Sequence, residues 1–284
     1  MVKEETYKRS FFEEQWQERM KDWEGNLPER MVDDTCEEHF WRCFIERKQG
    51  DAKPDAYSQD IMRAIVPFIH AEDQLLEIGP GSGNYTFSLA ERAESLTVVD
   101  SSEAVLTFLK TTSEEKKLKN LHMFHGKWEN FSSDKSYDVI FGMNCFYRMF
   151  EIKQALRLMN QYAKRLVILG MTTGPIKPHY VYLHQKYQYE MKWPRRDYID
   201  LLNLLYELGI YAECRMIPLK KTYRFSSFEE LLNKSTSKVL SPNVRQEHLK
   251  ESLEPYVYCD NGSYFYDHKF HAAIITWTPS PLFY

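Results

Sequence analysis

The chain has 284 residues with 37 Lys and Arg against 41 Asp and Glu. That is enough length for one substantial core with additions, and too balanced a charge for a global field that recruits nucleic acid, although a local basic groove stays open. Its five cysteines, Cys36, Cys43, Cys145, Cys214 and Cys259, are odd in number and lack any C-x-x-C spacing, which argues for a reducing compartment and against a metal site. The first twenty residues hold no apolar signal-peptide core and nowhere do eighteen apolar residues run together, so a cytoplasmic protein without a membrane partner is expected.

In chain order, Phe12, Trp16, Met20 and Trp23 recur at helical spacing, and Cys36, Phe40 and Phe44 form a second stripe beyond Asn26-Leu27-Pro28. Residues 1–52 therefore read as an N-terminal helical cap, either packed on the main domain or lying over its active site. The polar stretch 49–54 is the expected boundary to a domain at 53–284. A short helix over 56–68 carries Ile61, Ile65 and Phe68 on one face. Strands at 75–78, 95–99, 121–124, 137–141 and 165–170 then alternate with helices, the pattern of a parallel sheet with crossover helices. Doubly apolar strands such as Leu166-Val167-Ile168-Leu169 fit a sheet covered on both faces.

Residues 179–191 are rich in Tyr and His; as a helix they would set Tyr180, His184, Tyr187 and Met191 on one face. Pro194 restarts a helix with Tyr198, Leu201, Leu202 and Leu205 inward and Gly209 as its stop. A sixth strand is expected at 210–219, helices at 228–232 and 244–256, and a last strand at 270–277. The insertions therefore fall near 175–192 and 226–258.

The stretch around which the rest is organised is Leu75-Leu76-Glu77-Ile78-Gly79-Pro80-Gly81-Ser82-Gly83-Asn84. An apolar strand ends in an acidic residue, and three alternate glycines let a ligand lie against the main chain before a helix opens. No Lys stands where a phosphate-cradling P-loop needs one, and the third glycine comes one position too early for the dinucleotide fingerprint G-x-G-x-x-G. The pattern acidic-x-Gly-x-Gly-x-Gly resembles motif I of the class I S-adenosylmethionine-dependent methyltransferases. Asp100, seventeen residues after Gly83, stands where that family carries an acid for the ribose hydroxyls. By itself Asp100 reads equally well as a helix N-cap.

The resemblance covers roughly residues 57–172 and the last two strands. It implies a seven-stranded, mostly parallel Rossmann-like methyltransferase sheet with helices on both faces, the N-terminal cap and a helical insertion before the last strand being additions. It implies S-adenosylmethionine as cofactor and S-adenosylhomocysteine as product, bound by Glu77, Gly79, Pro80, Gly81, Gly83, Asp100 and Ser101, with residues after strand 3 flanking the adenine. There the chain departs from the family's common Gly-Asp-Ala-Glu and reads Gly126-Lys127-Trp128-Glu129. Lys127 replaces the usual Asp; Trp128 is either a wall for the adenine or plain core, and Glu129 is a candidate reader of its amino group.

The end of strand 4 reads Gly142-Met143-Asn144-Cys145-Phe146-Tyr147, without the paired prolines of the enzymes that methylate exocyclic amines. Asn144 is placed beside the cofactor. Tyr147, His179, Tyr180 and His184 are the candidates for a general base, needed only if the nucleophile is protonated. The expected partner is a small-molecule methyl acceptor presenting O, N or S, with no nucleic acid and no metal, and a monomer or homodimer as the active form. The alternatives are methylation of RNA or protein, with Arg195-Arg196 and Lys220-Lys221 as phosphate contacts, or a non-catalytic module that holds the cofactor or its product.

Overall fold

A computed structural model describes residues 11–22, 24–48, 54–193 and 197–281. Trp23, the expected boundary at 49–53, Pro194, Arg195 and Arg196 lie outside the described residues. The chain divides into two compact units, one of Met1–Met171, Asp197–Arg215 and Ala273–Tyr284, the other of Thr172–Arg196 and Met216–Ala272.

The first unit opens with helices α1 (Phe11–Glu18), α2 (Glu29–Val32) and α3 (Asp34–Lys48), followed by α4 (Ser58–Ile65). The aromatic stripe of α1 is core: Trp16 is 3% exposed, and its indole N–H donates to the Met149 carbonyl at 2.9 Å. The alternating pattern then runs β1 (Gln74–Ile78), α5 (Thr86–Ala90), β2 (Ser95–Asp100), α6 (Glu103–Glu115), β3 (Leu121–His125), β4 (Tyr137–Met143), α7 (Ile152–Tyr162) and β5 (Ala163–Thr173). β1 pairs in parallel with β2 and β4, β2 with β3, and β4 with β5.

Side-chain alternation explains the apolar runs. Leu76, Ile78, Ile140, Val167 and Leu169 enter one core cluster together with α7 residues Ile152, Leu156 and Met159. Their neighbours Leu75, Val139, Phe141 and Ile168 are equally buried and point to the opposite face. Asp100 is not the cap of α6, because the Ser102 hydroxyl takes the Val105 amide.

The chain continues through α8 (Pro178–Tyr187), α9 (Asp197–Glu207), β6 (Glu213–Phe225), α10 (Phe228–Lys234), α11 (Gln246–Leu253), β7 (Val257–Asp260) and β8 (Ser263–Trp277). The strand order is β3-β2-β1-β4-β5-β8-β6, with β7 paired to β8 as an eighth strand beyond the expected seven. β6 ends six residues later than expected and β8 starts seven earlier, because these strands run on into the second unit. There β7 and β8 form an antiparallel hairpin closed by Asn261 and Gly262, both at positive φ.

The second unit has its own core of Tyr180, Leu183, Phe225, Leu231, Leu249, Leu253 and Tyr266. α8 ends at Tyr187, with Gln188 left-handed, so Met191 leaves the helix and bridges to Val239 instead. Among the described residues no helix is long and apolar enough to cross a membrane.

Candidate active site

A cavity of about 370 Å³ opens in the first unit at the C-terminal ends of β1, β2 and β4, the side on which parallel sheets bind ligands. Its lining includes Glu77, Gly79, Pro80, Gly81, Asp100 and Ser101. Gly83 is absent from that lining; it serves the loop's geometry, its amide bonding to the Pro80 carbonyl at 3.0 Å. At Gly79 φ is +60°, and a Cβ would stand 2.6 Å from that of Cys145. At Gly81 φ is +54°, with the Trp41 ring of α3 lying 3.1 Å from where a Cβ would be. At Gly79 that closeness leaves no room for a Cβ, whereas at Gly81 a Cβ would need the Trp41 ring to give by a few tenths of an ångström.

Two carboxyls stand at the strand ends. Glu77 is 1% exposed, and its Oε2 has no hydrogen-bond partner. Burial pushes its pKa up to about 8; the neighbouring Thr86 hydroxyl opposes the shift and Asp100 adds to it. Asp100 is raised to about 6, again by burial, with the Ser102 and Gly81 amides pulling it back and the Glu37 and Glu38 charges adding to the rise. The Ser102 amide donates to Oδ1 of Asp100 at 2.9 Å. A buried, unpartnered carboxylate oxygen is costly, so a cavity keeping one beside open glycine backbone fits a ligand that brings donors and positive charge.

Beyond β3, Lys127, Trp128 and Glu129 all border the cavity. Lys127 reaches Asp34 of α3 at 2.6 Å. Trp128 is 3% exposed, stacks on Phe131 with centroids 5.0 Å apart, and donates its indole N–H to the Ala155 carbonyl at 3.0 Å. The ring is therefore part of the core and also borders the cavity. Burial raises the Glu129 carboxyl.

Beyond β4, Asn144 adopts φ +56°, a left-handed conformation that Asn tolerates better than most residues, and its amide is fixed to the Gly170 carbonyl at 2.9 Å. Cys145 and Tyr147 also line the cavity, and burial raises both side chains' pKa values. The roof comes from α2 and α3, which contribute Arg30, Met31, Glu37, Trp41 and Phe44. Asp55 and Tyr57, before α4, are tied in through Asn84, whose Nδ2 donates to Asp55 at 3.2 Å. Glu37 binds the roof together, taking the Trp41 indole at 2.7 Å, the Arg30 Nε at 2.7 Å and the Arg148 guanidinium.

His179, Tyr180 and His184 belong to the second unit and do not line this cavity. His179 is fully buried between the Tyr266 hydroxyl at 3.0 Å and the Ser235 carbonyl at 3.2 Å, and burial lowers its pKa to about 3. Tyr180 bonds to Ser237, and His184 to the Tyr189 carbonyl. The sequence reading missed Arg30, Glu37, Trp41 and Arg148. Nothing in their spacing marks them, since they meet only when α2 and α3 fold over the β4 loop. Among the described residues no three His, Cys, Asp or Glu side chains gather to hold a metal.

Residues 75–167 match the family model of a methyltransferase domain. An uncharacterized protein of Haemophilus influenzae is 25% identical over 185 residues, 63% of this chain and 66% of its own length. The ribosomal RNA small subunit methyltransferase G of Streptococcus uberis is 31% identical over 108 residues, 36% of this chain and 46% of that protein. The chain thus spans about two thirds of the first relative and under half of the second. Among solved structures, the BH2331 protein of Bacillus halodurans has the same fold at a TM-score of 0.52 and 15% identity, covering 79% of this chain and all of that one. The YcgJ protein of Bacillus subtilis follows at 0.50 and 13%, covering 78% and 99%. The glycine loop and the acid at the end of β2 both fall within the matched stretch, so residues 75–167 carry a methyltransferase domain.

Proposed function

We propose that this protein transfers a methyl group from S-adenosylmethionine to a small-molecule acceptor inside the roofed cavity of its first unit. The observation that carries the reading is the modest size of that cavity. About 370 Å³ is near the lower end of the range for ligand sites, so cofactor and acceptor would fill it together only if the acceptor, or the part of it that enters, is small. When bound, the cofactor supplies a methyl on a cationic sulfur that departs as a neutral thioether.

The chain's own residues then have limited work to do. The Gly79 and Gly81 main chain provides a surface without side chains, Asp100 accepts hydrogen bonds from hydroxyls, and Glu77 presents negative charge to a cationic partner. Lys127, Trp128 and Glu129 border the place assigned to the base. Asn144, fixed by Gly170, and Tyr147 face the acceptor. A phenol with a raised pKa stays protonated at neutral pH, so Tyr147 orients the acceptor as a donor and does not act as a base. Trp41, Phe44 and Phe150 give the cavity apolar walls, and alignment of the reactants supplies roughly 7–11 kcal/mol of the barrier lowering where geometry is good.

The test is a thermal shift with S-adenosylhomocysteine. Saturation at a hundred times Kd stabilises the native state by about 2.7 kcal/mol, and Asp100→Ala should abolish most of the gain. Stabilisation by NAD with none from S-adenosylmethionine or its product would overturn the assignment. Methylation of RNA is the second reading, favoured by the likeness to the streptococcal ribosomal RNA enzyme. Its mark would be RNA binding that weakens steeply as salt rises.

A further inference from the structure

Two arginines reach the cavity from opposite sides, Arg30 from α2 and Arg148 from the loop after β4, and both end on the same carboxylate oxygen, Oε2 of Glu37. Their side chains keep only 24% and 26% exposure, so these are not solvated surface charges. The other Glu37 oxygen is occupied by the Trp41 indole. Two guanidiniums therefore share one negative charge. Of the other acids of the lining, Asp34 pairs with Lys127 and Asp55 takes the Asn84 amide. Among the described residues Glu77, Asp100 and Glu129 form no ion pair with either arginine, whose ion-pair partner is Glu37.

Each guanidinium carries five N–H donors in a planar fork and spends one on Glu37. Both forks are also held in place by rings. Arg30 lies over Phe40, its Cζ 3.1 Å from the ring centroid, and Arg148 sits over Tyr147 at 5.7 Å. Half-buried, pre-oriented guanidiniums that share one carboxylate and keep spare donors suit a planar anion that accepts bidentate hydrogen bonds.

We propose that Arg30 and Arg148, with Glu37 as the positioning residue between them, form a clamp for a carboxylate group in the cavity. The clamp rests on the methyltransferase reading above, and the carboxylate comes either from the amino-acid end of the cofactor or from the acceptor. The two sources are separated by titration calorimetry on wild type, Arg30→Gln and Arg148→Gln. The ligands are S-adenosylhomocysteine, decarboxylated S-adenosylmethionine, which keeps the amine and lacks the carboxylate, and benzoate added to the product-loaded protein.

If the clamp holds the cofactor, each variant loses about tenfold or more in affinity for S-adenosylhomocysteine, and the decarboxylated ligand, already weaker on wild type, is indifferent to the substitutions. If it holds the acceptor, both nucleoside ligands bind the variants as they bind wild type, while benzoate binds only the loaded wild type. Two separate variants guard against a substitution that disturbs the roof; a variant that still binds decarboxylated ligand has kept its site. Unchanged S-adenosylhomocysteine binding in both variants, with no benzoate binding to wild type, overturns the clamp and leaves the methyltransferase reading standing. Wild type that binds neither nucleoside ligand overturns that reading, and the clamp with it.

Discussion

Glu77 sits at the end of β1 with one carboxylate oxygen unpartnered and a pKa raised to about 8 by burial. Its unfolded value is near 4.5, so the native state holds the proton more tightly than the unfolded chain does. Its contribution to stability is therefore intact below about pH 4.5 and is lost as pH rises through about 8. A ligand bearing positive charge reverses the preference by stabilising the ionised form. Between about pH 6.5 and 8, above the range in which Asp100 and His179 titrate, the free protein should lose stability with a slope of roughly 1.4 kcal/mol for each pH step of one, while affinity for the cationic cofactor climbs over the same interval. Glu77→Gln should flatten both curves; melting and titration profiles that match wild type would exclude this role. Nearby, Gly79→Ala should cost about 1–3 kcal/mol from its positive φ alone, and more from the approach to Cys145. Urea denaturation reads this directly, and a variant as stable as wild type would contradict the backbone geometry.

Among the elements, the β7–β8 hairpin shows a local signal outweighing a segmental one. Asn261 and Gly262 at φ +47° and +75° supply the two positive-φ residues a tight hairpin turn needs, and Asn-Gly is the dipeptide that does so most readily. The sequence reading placed its last strand only at 270–277, whereas β8 begins at Ser263, where the turn pairs it with β7. A Cβ on Gly262 would meet nothing within 4 Å, so any effect of Gly262→Ala is purely conformational. The expected loss is about 1 kcal/mol, seen as a lower urea midpoint with an unchanged slope. A neutral substitution would mean that the turn does not hold this geometry. The N-terminal helices divide between the two roles left open for them. α1 buries Trp16 and the chain just past it buries Met20 in the core, whereas α2 and α3 cover the cavity.

At the scale of the whole molecule, the site is assembled from segments far apart in sequence: 27–44, 55–57, 77–85, 99–101, 126–129 and 143–150. Ligand binding should therefore slow amide exchange in all of these together, including α2 and α3. Protection confined to the glycine loop, with 27–44 exchanging as in the free protein, would show that the roof takes no part.

The glycine loop and strand-end acids that border the cavity were legible because their physics is local. A glycine loop and the acids ending β1 and β2 are fixed by strand–loop–helix geometry, and the alternating apolar runs dictate the parallel sheet that aligns them. The roof was not legible. Arg30, Glu37, Trp41 and Arg148 have ordinary spacings in sequence, and their shared charge exists only where α2 and α3 meet the β4 loop. Nor could sequence separate His179 and Tyr180, whose hydrogen bonds hold the core of the second unit, from Tyr147, which borders the cavity. The glycine loop and Asp100, through the family they resemble, led to the expectation of a nucleotide-like, cationic ligand. Which side chains surround its reacting end depended on long-range packing that no spacing rule encodes.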